Sequence, residues 1–225
     1  PARGVEPVFV RGGTGSTPGM TLEQILDRLR TDPTLARHLT AWHEIPAREG
    51  SYAPLPADLH PRLTAALRGR GIERLYSHQA QTWEAVRAGR HVVVVTPTAS
   101  GKTLCYNLPV LDTLLAEPSA RALYLFPTKA LSMDQADELL GLVRAMDAPI
   151  LAYTYDGDTP GEARRAIRAA GHVVVTNPDM LHAAILPHHT KWLRLFEHLR
   201  YIVIDELHTY RGLFGSHMAN VMRRL

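Results

Sequence analysis

Short unbroken apolar runs alternate along the chain with segments whose apolar residues recur every three to four positions. The runs predict strands, and the spaced segments predict amphipathic helices. The predicted strands are residues 92–95, 122–126, 150–155, 173–175 and 201–204. The predicted helices are residues 77–89, 102–116, 129–146, 161–170 and 179–186. Because the strands are apolar at nearly every position, we expect an α/β fold: a mostly parallel sheet with helices on both faces.

The residues before Gly71 follow a different pattern. Residues 1–19 are rich in Gly, Pro, Ser and Thr, which is typical of a flexible leader. Residues 20–70 predict a helical and extended N-terminal extension. It begins with a candidate capping box at residues 21–24 and ends with a helix over residues 59–70. Residues 71–225 are then the α/β domain.

A loop of small residues separates the predicted strand 92–95 from the next helix. The loop and the helix start read Thr98, Ala99, Ser100, Gly101, Lys102 and Thr103. Backbone N–H groups can crowd a polyphosphate only where few side chains intervene, and the positive end of a helix favours an anion. Lys102 would bring its charge to the β- and γ-phosphates, and the Thr103 hydroxyl would ligate Mg²⁺. An ordinary strand-to-helix turn is the alternative, since Thr96 stands where the usual pattern has its first glycine.

Two carboxylates, Asp205 and Glu206, directly follow the predicted strand 201–204. Ligands of such sheets gather at the carboxyl ends of the strands. Asp205 would hold Mg²⁺ opposite Thr103, and Glu206 would orient and deprotonate an attacking water. The pair alone could be the polar start of a helix. Together with the phosphate loop it predicts a nucleoside triphosphatase.

The composition restricts the kinds of partner and location that we expect, but it does not indicate a function. A net charge of +3 and a pI of about 9.2 permit a polyanionic partner without requiring one. No apolar run approaches the roughly 20 residues of a membrane span, and residues 1–19 lack the pattern of a secretory signal, so we expect no membrane and a cytoplasmic location. The single cysteine, Cys105, is expected to be a buried thiol.

The motifs together resemble the first RecA-like domain of a superfamily 2 helicase, a P-loop NTPase fold. The matching segments are Gly71-Ile72 with Gln79 (the Q motif), 96–103 (motif I), 127–131 (motif Ia), 156–158 (the glycine motif), 176–179 (motif Ib) and 205–208 (motif II). This superfamily accepts a residue other than glycine at the first position of motif I. The likeness is closer still to the MrfA-like (YprA-like) bacterial DNA-repair helicases, and it covers about residue 20 to the end. Its markers are residues 42–45, 96–107, 185–192 and 205–212.

The resemblance implies ATP and Mg²⁺ as cofactors and assigns roles to further residues. Gln79 would read the adenine edge, and Tyr76 either stacks on the base or packs in the core. The implied nucleic-acid contacts are Thr128, Lys129, Gly157, Thr176 and Asn177. His208 would link the ATP site to the nucleic acid or to a partner domain. Arg211 would contact nucleic acid or the domain interface; the alternative is a solvated loop arginine.

The resemblance also implies 3′-to-5′ translocation on single-stranded or tailed duplex DNA during repair of crosslink-type damage. The family supplies a second RecA-like domain and a zinc-binding C-terminal domain, and neither pattern occurs within these 225 residues. We therefore expect the 225 residues alone to hydrolyse ATP poorly. Two alternatives stay open: an RNA-directed DEAD-box-like helicase, and a binding module whose nucleotide site is vestigial.

Overall fold

The computed structural model describes residues 20–46, 49–97 and 100–225. The chain divides into two compact units, Pro1–Glu49 and Gly50–Leu225. The predicted leader over residues 1–19 lies outside the described residues. No helix in the described part of the chain is both long and apolar enough to cross a bilayer.

The first unit contains two short helices, α1 (Leu22–Thr31) and α2 (Pro33–Ala36). The predicted capping box is confirmed: Gln24 N–H donates to Thr21 Oγ1 at 3.3 Å, and Thr21 N–H donates to Gln24 Oε1 at 2.9 Å. These two bonds satisfy backbone donors that the first turn of a helix leaves free. Neither helix has a buried residue.

The second unit contains two sheets. A parallel sheet has the strand order β4-β5-β3-β6, and a separate antiparallel pair joins β1 to β2. The strands are β1 (Tyr52–Pro54), β2 (Arg74–Tyr76), β3 (Arg121–Leu125), β4 (Ala152–Thr154), β5 (Val173–Thr176) and β6 (Leu199–Ile204). The parallel sheet contains four of the five predicted strands. The β1–β2 pair was not predicted: β1 lies in the predicted extension, and β2 lies at the start of the predicted α/β domain.

Helices occupy most of the connections. They are α3 (Pro61–Gly69), α4 (Ser77–Arg87), α5 (Lys102–Ala116), α6 (Lys129–Ala145), α7 (Gly161–Ala170), α8 (Pro178–Met180), α9 (Leu193–Glu197) and α10 (Gly212–Met222). The chain after α8 continues as a π turn over Leu181–Ile185 and a 3₁₀ segment over Leu186–Trp192. The helix predicted over residues 179–186 is thus mostly π-helical.

The residues of β3 alternate between the two faces of the sheet. All of β3 is buried, with Ala122 and Tyr124 in one apolar cluster and Leu123 and Leu125 in the other. Helices α3, α5 and α6 cover the first face, and the segment 181–195 with α10 covers the second. The prediction of helices on both faces is confirmed. Since α3 packs in this core, the structure divides the chain before α3, whereas the sequence placed residues 20–70 together.

The strand predicted over residues 92–95 is wrong for this structure. Residues 91–97 have no regular secondary structure, and Val93 and Val95 are 70% and 89% exposed. The β-branched run has the composition of a strand, but a strand also needs a partner to satisfy its backbone groups. Within the described residues, β6 pairs only with β3, and no strand pairs with this segment.

Candidate nucleotide and nucleic-acid site

The loop before α5 turns on Gly101, which has φ +76° and precedes the first helical residue. Lys102 Nζ donates to the carbonyls of Thr96 at 3.1 Å and Pro97 at 2.9 Å. The hydroxyls of Thr96 and Ser100 lie 2.6 Å apart. Among the described residues, no side chain caps α5, so the first N–H groups of this helix remain available to an anion. Thr98 and Ala99, the other predicted loop residues, lie outside the described residues.

Gln79 connects this loop to the segment before α4. Its Nε2 donates to the Gly101 carbonyl at 2.8 Å, and its Oε1 accepts from Tyr76 N–H at 2.9 Å. Gln79 is 3% exposed, so it is not a surface glutamine. Tyr76 is 40% exposed and stacks on Tyr52 with a centroid separation of 4.9 Å. The ring therefore packs against another aromatic side chain at the surface rather than in the core, and its stacking on a base stays a prediction.

The two carboxylates follow β6 as predicted. Asp205 N–H donates to the Leu125 carbonyl at 3.1 Å, which continues the β3–β6 ladder by one residue. Asp205 Oδ1 accepts from Glu206 N–H at 2.7 Å. Glu206 has φ +49°, which is costly for a residue with a Cβ, and one of its carboxylate oxygens lies 3.2 Å from His208 Nδ1. The two carboxylates have different partners: Glu206 pairs with His208, and Asp205 Oδ2 lies near the Tyr106 hydroxyl.

A chain of side chains connects the start of α5 to Asp205. Thr103 Oγ1 donates to Gln135 Oε1 at 3.1 Å, and the Tyr106 hydroxyl lies 2.8 Å from the same oxygen. The Tyr106 hydroxyl also lies 3.3 Å from Asp205 Oδ2. Burial, and then the negative charge of Asp205, raise the pKa of Tyr106 well above its ordinary value. Hydrogen bonds through Gln135 and Tyr106 therefore join the Thr103 hydroxyl to the Asp205 carboxylate.

Sequence reasoning missed Tyr106 and Gln135. Tyr106 follows Thr103 by three residues on α5, the spacing that places two side chains on one face of a helix. That spacing was the available signal for Tyr106. Gln135 comes from a different helix, α6, and no local pattern marks it.

The predicted nucleic-acid residues gather at the carboxyl ends of β3, β4 and β5. Thr128 caps α6 by accepting from Leu131 N–H, and Asn177 caps α8 by accepting from Met180 N–H. Thr176 is only 2% exposed, and its hydroxyl donates to the Tyr155 carbonyl at 2.6 Å. Thr176 therefore shapes this edge rather than presenting a free hydroxyl.

Lys129 lies against the loop that contains Gly157. Its ammonium pairs with Asp156 at 3.2 Å and also with Asp158. Hydrogen bonds to Asp158, and then to Asp156, raise the pKa of Lys129 above its ordinary value. Arg164 also holds this loop, because it donates to the carbonyls of Gly157 at 3.0 Å, of Asp156 at 3.1 Å and of Thr159 at 2.7 Å. The Lys129 ammonium, which was predicted to bind a phosphate, is therefore paired with these two aspartates.

His208 and Arg211 lie beyond the carboxylates. Arg211 Nε donates to the His208 carbonyl at 3.0 Å. His208 is exposed and paired with Glu206, so it is positioned to orient that carboxylate. The structure places these two predicted coupling residues beside each other and beside the candidate catalytic residue.

The fold and this site together define a class of protein. The sequence profile of the DEAD/DEAH box helicase family matches residues 76–225. The chain therefore belongs to the DEAD/DEAH box helicase family, and it contains a RecA-like part of the motor. Membership of this family of ATP-dependent enzymes implies the use of ATP.

Individual relatives narrow the class to the MrfA, YprA and Hrq1 type. The chain is 56% identical over 200 residues to the uncharacterized ATP-dependent helicase YprA of Bacillus subtilis, a match covering 89% of this chain and 27% of YprA. It is 40% identical over 208 residues to the ATP-dependent helicase HRQ1 of Saccharomyces cerevisiae, covering 91% of this chain and 19% of HRQ1. The resemblance to the YprA-like group is confirmed.

A solved structure gives the same result. The crystal structure of the DUF1998 helicase MrfA bound to DNA and AMPPNP matches with a TM-score of 0.83 and 54% identity, over 91% of this chain and 28% of MrfA. The predicted RecA-like fold is confirmed. The chain spans about a quarter or less of the length of these relatives.

Proposed function

We propose that this chain is the ATP-binding part of a helicase motor that moves 3′ to 5′ along DNA and acts in the repair of crosslink-type damage. The connection from Thr103 to Asp205 carries the proposal, because it joins a phosphate-loop hydroxyl to a carboxylate suited to a metal. Relatives named as ATP-dependent helicases, and a MrfA structure described as bound to DNA, support it. A second RecA-like domain and a zinc-binding domain are its proposed partners, and a cytoplasmic location stays a prediction.

The donor set fits a magnesium nucleotide. Thr103 offers a hydroxyl and Asp205 a carboxylate, the hard oxygen ligands that Mg²⁺ prefers. Within the described residues, no Lys or Arg forms an ion pair with Asp205, so its charge is available. Lys102 and the N–H groups at the start of α5 would bind the phosphates, and Gln79 and Tyr76 would border the base. Bound Mg²⁺ would neutralise charge on the β- and γ-phosphates.

Glu206 is the proposed general base. Its carboxylate pairs with His208, whereas Asp205 Oδ2 lies 3.3 Å from the Tyr106 hydroxyl, so one carboxylate can serve the metal while the other holds a water. His208, 3.2 Å from Glu206, would fix the orientation of the base. Glu206 would take the proton of the attacking water, a contribution typically worth about 10²–10⁴ in rate.

Thr128, Lys129, Gly157, Thr176 and Asn177 form the proposed nucleic-acid edge. Helix starts and a lysine bind phosphates without reading bases, which suits a protein that moves along any sequence. Arg211 and His208 would connect this edge to the ATP site. Because Thr176 is buried, we propose that its contribution is to hold the Tyr155 carbonyl in place.

The test uses the full-length protein with Lys102→Ala and Glu206→Gln. Lys102→Ala should weaken nucleotide binding at least about tenfold, since it removes a charge contact to the phosphates. Glu206→Gln should keep binding and lower hydrolysis by about 10²–10⁴. Lys191→Ala, an exposed lysine of the 3₁₀ segment, is the matched control and should change neither.

Nucleic-acid choice and polarity need separate measurements. We expect single-stranded DNA to stimulate ATP hydrolysis more than RNA of the same sequence, and unwinding of a duplex with a 3′ tail but not of one with a 5′ tail. Stimulation by RNA alone would support an RNA-directed helicase. Unchanged nucleotide binding in Lys102→Ala would support a vestigial site.

A further inference from the structure

Gln135 is the point at which two helices meet the candidate metal site. Its Oε1 accepts hydrogen bonds from two hydroxyls of α5, those of Thr103 and Tyr106. A hydroxyl that offers a lone pair to a cation still has its hydrogen to donate, so Gln135 can hold the Thr103 hydrogen while the oxygen faces a ligand. Gln135 is therefore suited to orient Thr103 without touching the nucleotide.

Gln135 also lies on the helix that begins at the proposed nucleic-acid edge. Lys129 is the first residue of α6, and at 1.5 Å per residue Gln135 lies about 9 Å further along the axis. Leu139 and Leu142, later on the same helix, are fully buried in the core. A displacement at the start of α6 would reach Gln135 through a continuous helix that the core supports.

The Tyr106 hydroxyl lies between two competing acceptors. Its single hydroxyl hydrogen has two acceptors, Gln135 Oε1 at 2.8 Å and Asp205 Oδ2 at 3.3 Å. The ring itself is held in place edge-to-face against Tyr124, with centroids 5.4 Å apart. One hydrogen cannot serve both acceptors fully, so a small movement of Gln135 changes which oxygen receives it.

We infer that Gln135 and Tyr106 couple nucleic-acid binding at the start of α6 to the nucleotide site between Thr103 and Asp205. They are positioning residues: Gln135 acts through Thr103, and Tyr106 acts through Asp205. The inference rests on the proposed function, since it takes Lys129 as a nucleic-acid contact and Thr103 with Asp205 as the metal site.

The experiment measures the affinity of the full-length protein for single-stranded DNA, with and without a non-hydrolysable ATP analogue and Mg²⁺. Coupled sites typically change each other's affinity by about 5- to 150-fold. The coupling ratio is the DNA affinity with the analogue compared with the DNA affinity without it. We expect the two affinities to differ at least about fivefold in the parent protein, and by no more than about twofold in Gln135→Leu and in Tyr106→Phe. The double variant should lose no more of this coupling than either single variant does, because both substitutions interrupt the same connection.

Two controls make the outcome specific. Gln81→Leu changes an exposed glutamine of α4 and should keep the parent ratio. Tyr106→Phe keeps the ring packing, so it remains informative if Gln135→Leu fails to fold. The inference would be overturned if the analogue did not change the DNA affinity of the parent protein. It would also be overturned if the analogue changed the DNA affinity of both variants as much as that of the parent. If Lys102→Ala leaves nucleotide binding unchanged, the proposed function itself fails. If Lys102→Ala abolishes nucleotide binding while the variants keep the ratio, only the coupling fails.

Discussion

The substitution Gly101→Ala should damage the phosphate loop in two separable ways. Gly101 has φ +76°, and a non-glycine residue in the left-handed region costs about 1–2 kcal/mol. An added Cβ would also lie 2.7 Å from Gln79 Nε2, closer than real Cβ contacts come. The Gln79 amide must then move and lose its bonds to the Gly101 carbonyl and to Tyr76 N–H. At about 0.5–1.5 kcal/mol each, these two bonds add roughly 1–3 kcal/mol.

Gly89→Ala is the matched control for this substitution. Gly89 has φ +72°, but nothing lies within 4 Å of its added Cβ, so it measures the backbone cost alone. In thermal melts of the two variants, Gly101→Ala should melt lower than Gly89→Ala by about 2–4 °C for each further kcal/mol. Only Gly101→Ala should weaken binding of an ATP analogue. Equal melting points and equal nucleotide affinities would refute the reasoning, since the contact with Gln79 would then cost nothing.

Three further predictions concern the nucleic-acid edge and the opposite end of the sheet. Asp158→Asn should raise DNA affinity a few-fold, because it leaves Lys129 with one paired carboxylate, Asp156, instead of two. The slope of log affinity against log salt should steepen by up to about 0.7, and weaker binding in a filter assay would show that the aspartate helps instead. Arg164→Lys should lower hydrogen-exchange protection of residues 156–159, because an ammonium cannot reproduce the planar donor fork; unchanged protection would contradict this. Burial, and then nearby arginine charges, hold the pKa of His172 below its ordinary 6.5, so the unfolded chain takes up the proton first. The free energy of unfolding should therefore decline as the pH falls below about 6.5. Urea midpoints measured against pH should decline less steeply in His172→Gln than in the parent protein. Parallel pH profiles of the two proteins would exclude His172 as the cause.

Much of the fold followed from local pattern. Helix α7 begins and ends where the sequence predicted, and so does α5, because glycine, proline and the loop residues fix their starts and the apolar spacing fixes their extents. The run at residues 92–95 failed for a different reason. Its β-branched composition is local, but a strand exists only beside another strand, and pairing depends on residues far away in the sequence.

Some residues of the candidate site could likewise be predicted from local sequence, and others could not. Motif residues such as Lys102 and Asp205 could be found because each follows a strand or opens a helix. Gln135 could not, because its role arises from two helices meeting in space. The burial of Thr176 was equally invisible, since the Tyr155 carbonyl that its hydroxyl contacts comes from another part of the chain.

The exposed valines of residues 92–95 should promote self-association of the purified protein. A β-branched run with free backbone groups and little charge favours intermolecular pairing, as an uncovered sheet edge does. Within the described residues, one side of β6 is such an edge. When these residues are produced by themselves, self-association through the two segments should compete with recovery of the monomer. Light scattering that rises with protein concentration and falls when Val93 is replaced by lysine would reveal it.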